Sequence, residues 1–350
     1  MVDCFKLGRR RLMAAGLGLS VSSKAWAQSA SEPIMRGWHE AVIIVPDTAP
    51  WIETLSTVGG WEVVARGAPD TALNALWGLD GFARTEQVMM RNIGARKGYI
   101  RLVRVFGASQ ERIRPDDQAW DTGGVQALDL RVLDIDATRA ALHARGWRAP
   151  SDPVQYKAYG VEDIQWVPVS PDGVRLSFVQ RISPTLTGWS ELKRWSRLTN
   201  AAITTIDIAA AQTFFAHDLG MPERGHTNTI GNGPNVMGLP WSFSSHTPID
   251  IRGFFPGLQP DAAIELISMP QAQGRDFSAA AHPPNLGIAA LRVAVPDARA
   301  AATRLAAMGL APTPVVGMQI APYGACRAFS VTGTDGVRLE FFEAKASSAF

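Results

Sequence analysis

The sequence predicts an α+β protein built from four copies of one βαβββ module, and three observations carry that expectation. The stretch Asp134 to Gly146 recurs as Asp297 to Gly309, in both cases an Ala- and Arg-rich run from an Asp to a Gly, at an offset of 163 residues. Asp172 to Phe178 (Asp-Gly-Val-Arg-Leu-Ser-Phe) returns as Asp335 to Phe341 (Asp-Gly-Val-Arg-Leu-Glu-Phe) at the same offset of 163. The front parts match at 160: Asp47 with Asp207, and Trp77-Gly78-Leu79 with Met237-Gly238-Leu239. Offsets this large mark duplicated domains, since solenoid units recur every 20–50 residues or so.

Each half is itself double. His39 to Val45 reads as a strand, Pro46-Asp47 opens a helix, and Gly59-Gly60 closes it. Asp at a helix start accepts backbone N–H bonds, and Gly ends the helix in the left-handed conformation. The same order recurs at Val125–Val132 with Asp134 and Gly146, at Ala201–Ile206 with Asp207 and Gly220, and at Ile288–Val295 with Asp297 and Gly309. β-rich runs follow each helix and end in a strong strand: Tyr99–Val105, Val174–Gln180, Ala262–Ile267 and Val337–Phe342. The expected division is a first domain at 36–182, a linker at 183–195 rich in Ser, Pro, Thr and Gly, and a second domain at 196–344.

The first 27 residues read differently. Arg9-Arg10-Arg11-Leu12-Met13, an apolar run from Ala14 to Val21 and Ala25-Trp26-Ala27 form the three regions of an export signal, with paired arginines of the twin-arginine type. The expected location is periplasmic or secreted, with a mature chain starting near Gln28. The run is too short to span a bilayer, so no membrane span is expected in the mature chain. The signal carries +4 of a chain total of +2, which leaves −2, and nothing argues for nucleic-acid binding. Cys4 would leave with the signal and Cys326 stands alone, which excludes an intramolecular disulfide and a cysteine-based zinc site in the mature chain.

Four such modules in order resemble the vicinal-oxygen-chelate superfamily, which includes glyoxalase I, bleomycin-resistance proteins and extradiol dioxygenases. The resemblance rests on Val45-Pro46-Asp47, Val295-Pro296-Asp297, Phe214-Phe215-Ala216-His217-Asp218-Leu219-Gly220-Met221, Asp172-Gly173 and Asp335-Gly336, and covers roughly 36–344. It implies two tandem cup-shaped, glyoxalase-like domains, each made of two adjacent modules around a site for a divalent metal. It also implies ligands on the first and last strand of each module. Counting from the turns gives Glu40 and Arg101 in module one, Ala127 (beside Gln126) and Ser177 in module two, Asn200 and Glu265 in module three, and Ala290 and Glu340 in module four.

On that reading the first cup has lost its metal, because a cation at Arg101 repels one. Arg101 then serves an anion site, with Glu40 nearby, or lies on a solvated face. The second cup keeps Asn200, Glu265 and Glu340, oxygen donors that suit one Mg²⁺, Mn²⁺ or Ca²⁺. Without a metal, a carboxylate in an apolar cup can act as a general base. His226 and His246 are candidate lining residues, and Trp77, Trp166, Trp189, Trp195 and Trp241 candidate walls for an aromatic or apolar substrate. Two functions follow. One is an exported lyase or isomerase that moves a proton beside a carbonyl through Glu265 or Glu340, metal-assisted or not. The other is a metal-free small-molecule-binding protein of the bleomycin-resistance type. Ring cleavage is disfavoured, since Asn200, Ala290 and Glu340 replace its two His and one Glu.

Overall fold

The computed structural model describes residues 32–67, 71–79, 81–158, 160–230, 233, 235–257 and 261–344. The expected export signal at 1–27 lies outside the described residues. Module one comprises β1 (Glu40–Ile44), α1 (Ala49–Thr54), β2 (Trp61–Gly67), α2 (Thr71–Trp77), β3 (Arg84–Asn92) and β4 (Tyr99–Phe106). Module two comprises β5 (Ala127–Val132), α3 (Ile135–His143), β6 (Val154–Ala158), β7 (Val161–Trp166) and β8 (Arg175–Ser183). Module three runs β9 (Trp195–Thr204), α4 (Ile208–Gln212), β10 (Glu223–Ile230), α5 (Trp241–Ser244), β11 (Pro248–Phe254) and β12 (Ala263–Ser268). Module four runs β13 (Gly287–Val295), α6 (Ala298–Ala307), β14 (Val316–Ile320), β15 (Gly324–Thr332) and β16 (Arg338–Glu343).

The four turns that recur in the sequence behave alike. Asp134 accepts from the Ala137 N–H at 2.8 Å, Asp207 from Ala209 and Ala210, and Asp297 from Arg299 and Ala300. Asp47 accepts from Ala49 at 3.0 Å. Gly60, Gly146, Gly220 and Gly309 all close their helices at φ between 77° and 87°. The odd modules depart from the even ones. Their helices widen into a π turn at Leu55–Gly59 and Thr213–Asp218 before the closing glycine, and each adds a second short helix that the β-rich reading did not anticipate.

The strands form two curled sheets of eight, in the orders β14-β15-β16-β13-β1-β4-β3-β2 and β10-β11-β12-β9-β5-β8-β7-β6. Within a module the first and last strands are parallel; between modules the first strands pair antiparallel, β1 with β13 and β5 with β9. Module one therefore shares a sheet with module four, and module two with module three. This overturns the expected pairing of adjacent modules in cups at 36–182 and 196–344. Equal offsets show that modules are alike, but not which ones pair. The short 183–195 connection sets β9 beside β5 in one sheet, whereas the chain changes sheet through long straps at 107–126 and 269–286. These straps lie on each other: Thr122 N–H donates to the Arg275 carbonyl at 2.9 Å, Arg275 pairs with Asp121 at 2.8 Å, and Gln110 donates to the Pro284 carbonyl at 2.6 Å.

Strand alternation gives each sheet two faces. On the helix-covered faces Ile43, Leu102, Leu130, Phe178, Ile264, Leu266, Leu339 and Phe341 join one continuous apolar core that spans both sheets. The opposite faces are the insides of two cups: an outer cup from modules one and four, and an inner cup from modules two and three.

Candidate functional site

The outer cup is filled. Leu73, Leu76 and Trp77 of α2 pack inside it with Val42, Met89, Tyr323 and Phe342. Beneath them lie four charged side chains, none more than 1 % exposed. Glu40 lies directly across from Arg292 in the β1–β13 ladder, and Glu340 beside Arg292 in β13–β16. Arg101 donates to both oxygens of Glu40 (2.6 and 2.8 Å), and Arg292 bridges Glu40 (2.9 Å) and Glu340 (2.8 Å). Trp77 Nε1 donates to Glu340 at 2.6 Å, and the Ala321 carbonyl accepts from Arg101 at 2.7 Å. Burial alone would raise both carboxyls, but the two guanidinium groups override it, and Glu40 and Glu340 are held below the usual carboxylate range. Two carboxylates thus meet two arginines sealed from solvent, and a third, Arg338, reaches Glu340 at 3.4 Å from the edge.

The inner cup has the opposite balance. Asp129 lies directly across from Asn200 in the β5–β9 ladder and beside Ser177 in β5–β8. Asn200 Nδ2 donates to Asp129 at 3.0 Å and reaches Glu265 at 3.5 Å, so one amide nitrogen faces two carboxyl groups. Gln165 donates to Ser177 Oγ at 2.8 Å. Asp129 and Glu265 each keep part of their surface in solvent, unlike the enclosed acids of the outer cup. Burial raises both; Glu265 is raised further by the Asp129 charge, against the Asn200 hydrogen bond. Asn200 Oδ1 is buried without a hydrogen-bond partner. Ile249, Ile267, Met269 and Leu239 line one end of the cup, with Phe243 and Trp120 packed on them, ring centroids 6.0 Å apart.

These geometries redistribute the residues singled out in the sequence. Glu265 and Glu340 both point into cups, as alternation requires, but into different ones, so they do not approach each other. Asn200 does sit with Glu265. Arg101 is neither solvated nor an open anion site; it is 0 % exposed and bound to Glu40. Ala127 and Ala290 lie inside their cups without functional groups, and Gln126 donates to the Ala119 carbonyl. His226 shares the Arg252–Leu266 register, on the sheet face opposite Glu265, and pairs with Asp250 at 3.0 Å. His246 is exposed beside Ser245. Neither lines a cup. Trp166 and Trp195 belong to the helix-side core, and Trp189 stacks under Arg197 at 4.7 Å on the surface. The side chain of Trp241 lies outside what the structure describes. The sequence reading missed Asp129 and Arg292. Each stands two residues beyond a counted position, Ala127 and Ala290, and alternation places it on the same face; extending the count by two would have found both.

No protein-family model and no curated protein matches the chain. Among solved structures, glyoxalase I of Zea mays aligns at 12 % identity with a TM-score of 0.56, covering 88 % of this chain and 92 % of the enzyme. A candidate dioxygenase of Bacillus subtilis aligns at 14 % identity with a TM-score of 0.56, over 91 % of this chain and 88 % of that one. The fold is that of the vicinal-oxygen-chelate proteins. Within the vicinal-oxygen-chelate fold, a metal can be tested against each cup. The outer cup does not fit one: its two carboxylates are already neutralised, and a cation would meet Arg101 and Arg292. The inner cup fits a hard cation, with Asp129, Glu265 and the unpartnered Asn200 Oδ1 as oxygen donors once the amide is turned. Among the described residues no group of three His, Cys, Asp or Glu side chains gathers as a metal site, so the amide would have to complete the set.

Proposed function

We propose that the chain is an exported enzyme of the lyase or isomerase type that moves a proton beside a carbonyl in the inner cup. The observation that carries this reading is the Asp129–Asn200–Glu265 constellation: two carboxyls facing one amide, partly open to solvent, beside an apolar wall. Two like charges so placed push each other's titration apart, which assigns roles. Asp129, which accepts from Asn200 at 3.0 Å and stands beside Ser177, is the better-stabilised carboxylate and serves as base; Glu265, pushed up by burial and by the Asp129 charge, keeps its proton and serves as acid.

In the forward step Asp129 takes the proton from the carbon next to the carbonyl, and the C–H electron pair moves into the enol double bond. The Glu265 O–H gives its proton to the carbonyl oxygen and is left as a carboxylate. Return of a proton from Asp129 to a carbon, with Glu265 recovering its own from oxygen, completes an isomerisation. In a lyase Glu265 likewise recovers the oxygen's proton, the carbonyl re-forms, the enol electron pair shifts to a new carbon–carbon double bond as the bond to a β-substituent breaks, and that substituent leaves with the proton held by Asp129. Asn200 holds the two carboxyls in register, and Ser177 supports Asp129 from the neighbouring strand. A Mg²⁺, Mn²⁺ or Ca²⁺ ion held by Asp129, Glu265 and Asn200 would require both carboxyls to be ionised and would supply, in place of the Glu265 proton, the positive charge for the oxygen that becomes the enolate.

The alternative is a metal-free binding protein of the bleomycin-resistance type, favoured by the Trp120–Phe243 pair and the apolar wall, which can hold an aromatic ligand without any chemistry. Solvent-deuterium exchange separates the two. Small carbonyl compounds with an acidic neighbouring C–H are incubated with the mature protein in D₂O and followed by NMR. The enzyme reading expects deuterium uptake that falls at least about 100-fold in Asp129→Asn and Glu265→Gln. Uptake that persists in the double variant rejects the site, and binding without any uptake supports the alternative.

A further inference from the structure

The inside of the inner cup is graded along its strands, and the grading defines a substrate. Cross-strand partners place its side chains on successive rungs, each about 6–7 Å from the next. One rung holds Ile267, opposite Ile251 and Thr204. The next two hold Glu265, then Asp129 with Asn200 and Ser177. Arg131 follows, two residues beyond Asp129 on the same face and beside Val179. The last rung holds Arg181 opposite Asp163. Arg175 shares the Glu265 rung across Ala202 and Ala127 but is engaged by Asp117 at 3.0 Å, so the uncommitted surface runs from apolar, through the carboxyl pair, to cationic.

The cationic end carries surplus charge. Arg131 Nη1 and Arg181 Nε both donate to the same oxygen, Asp163 Oδ1, at 3.2 and 2.5 Å. Two guanidinium groups thus share one carboxylate, and the side chains are 15 %, 16 % and 20 % exposed, so a ligand group can reach them. In the outer cup, by contrast, Arg101, Arg292 and Arg338 meet Glu40 and Glu340, and the first two guanidinium groups are sealed from solvent, where no ligand group reaches them.

We propose that the inner cup takes an amphipathic carboxylate, its anionic end on Arg131 and Arg181, its apolar end on Ile251, Ile267 and Phe243, and its reacting carbon between them. The proposal rests on reading Asp129 and Glu265 as the reacting centre, and it adds the substrate class. A carboxylate matches the planar fork of a guanidinium and forms paired hydrogen bonds with it. Three rungs, about 20 Å of backbone, separate Ile267 from Arg131, and an arginine side chain covers about 6 Å of that, so the span fits a chain of about eight carbons ending in an aromatic or branched apolar group.

The test uses two unreactive probes of one shape, 8-phenyloctanoate and 8-phenyloctanamide, titrated calorimetrically into the mature protein. The carboxylate is expected to bind at least tenfold tighter than the amide. Arg131→Gln and Arg181→Gln should each reduce carboxylate affinity about tenfold while amide affinity holds, which also shows that each variant is folded. Equal affinity for the two probes, binding of neither, or a preference that survives in both variants overturns the proposal. Because the probes do not react, this outcome is independent of deuterium exchange: a charge preference without exchange would keep the carboxylate site and reject the proton-transfer reading.

Discussion

Arg292 lies across from Glu40 in one ladder, and Asp129 across from Asn200 in the other. The two residues occupy equivalent places in their modules, and their opposite signs set the two cups apart. In the outer cup Arg292 links Glu40 to Glu340 at the centre of a buried ion network that Arg101 and Arg338 extend. Removing one partner would strand a buried charge, so Arg292→Met should cost about 3–5 kcal/mol in urea unfolding. Replacing Glu40, Arg101, Arg292 and Glu340 together by apolar residues of similar volume should come close to wild-type stability, because the desolvation cost disappears with the charges. A quadruple variant as unstable as the single one would mean that the network contributes more than it costs. In the inner cup the sign is reversed. The folded-state titration of Glu265, about 8, lies above the 4.5 of a free carboxyl, so the folded state holds the proton more tightly. Stability from this group is present at low pH and drains away as pH rises from about 4.5 to about 8. In chelator-treated protein, Glu265→Gln should therefore raise the Tm at pH 8 by a few degrees and leave it unchanged at pH 4. A Tm gain equal at both pH values would contradict the raised titration.

At the scale of elements, the two sheets are held at their backs by close backbone approaches as well as by apolar packing. Gly98, at φ +72° just before β4, receives the Leu198 N–H of β9 on its carbonyl at 3.0 Å. A Cβ added there would lie 2.2 Å from the Leu198 carbonyl oxygen. Gly98→Ala meets both a left-handed backbone and a backbone clash that no side chain can relieve. It should destabilise by at least about 2 kcal/mol. Gly78→Ala, at φ +66° with nothing within 4 Å, isolates the backbone part of that cost, and equal destabilisation of the two variants would show that the inter-sheet approach is not tight.

The whole molecule interleaves its modules. Each sheet takes one module from either side of the 183–195 connection, so neither half of the chain contains a complete cup. Residues 28–182 expressed alone should fail to form a folded monomer, as judged by amide dispersion in NMR spectra. The same segment co-expressed with 183–350 should recover a soluble complex with the intact protein's melting behaviour. A folded, monomeric 28–182 would contradict the interleaving.

Much of this architecture was legible in the chain. Four Asp-capped helices, their closing glycines and the strands around them follow from local chemistry: a side-chain oxygen near free N–H groups, and φ values that only glycine adopts without strain. Alternation likewise turned Glu265 and Glu340 inward and set Ile264, Leu266, Leu339 and Phe341 against the core, because a strand presents successive residues to opposite faces whatever its partner. Partnership itself was not local. Which first strands pair depends on strap lengths and on contacts between 107–126 and 269–286, and that choice sent Glu340 to Arg292 and Glu265 to Asp129. The sequence by itself determined the module, its fourfold recurrence and the inward-facing acids. Only the tertiary structure decided which acids share a cup, and so whether each meets a cation that silences it or another acid that keeps its proton mobile.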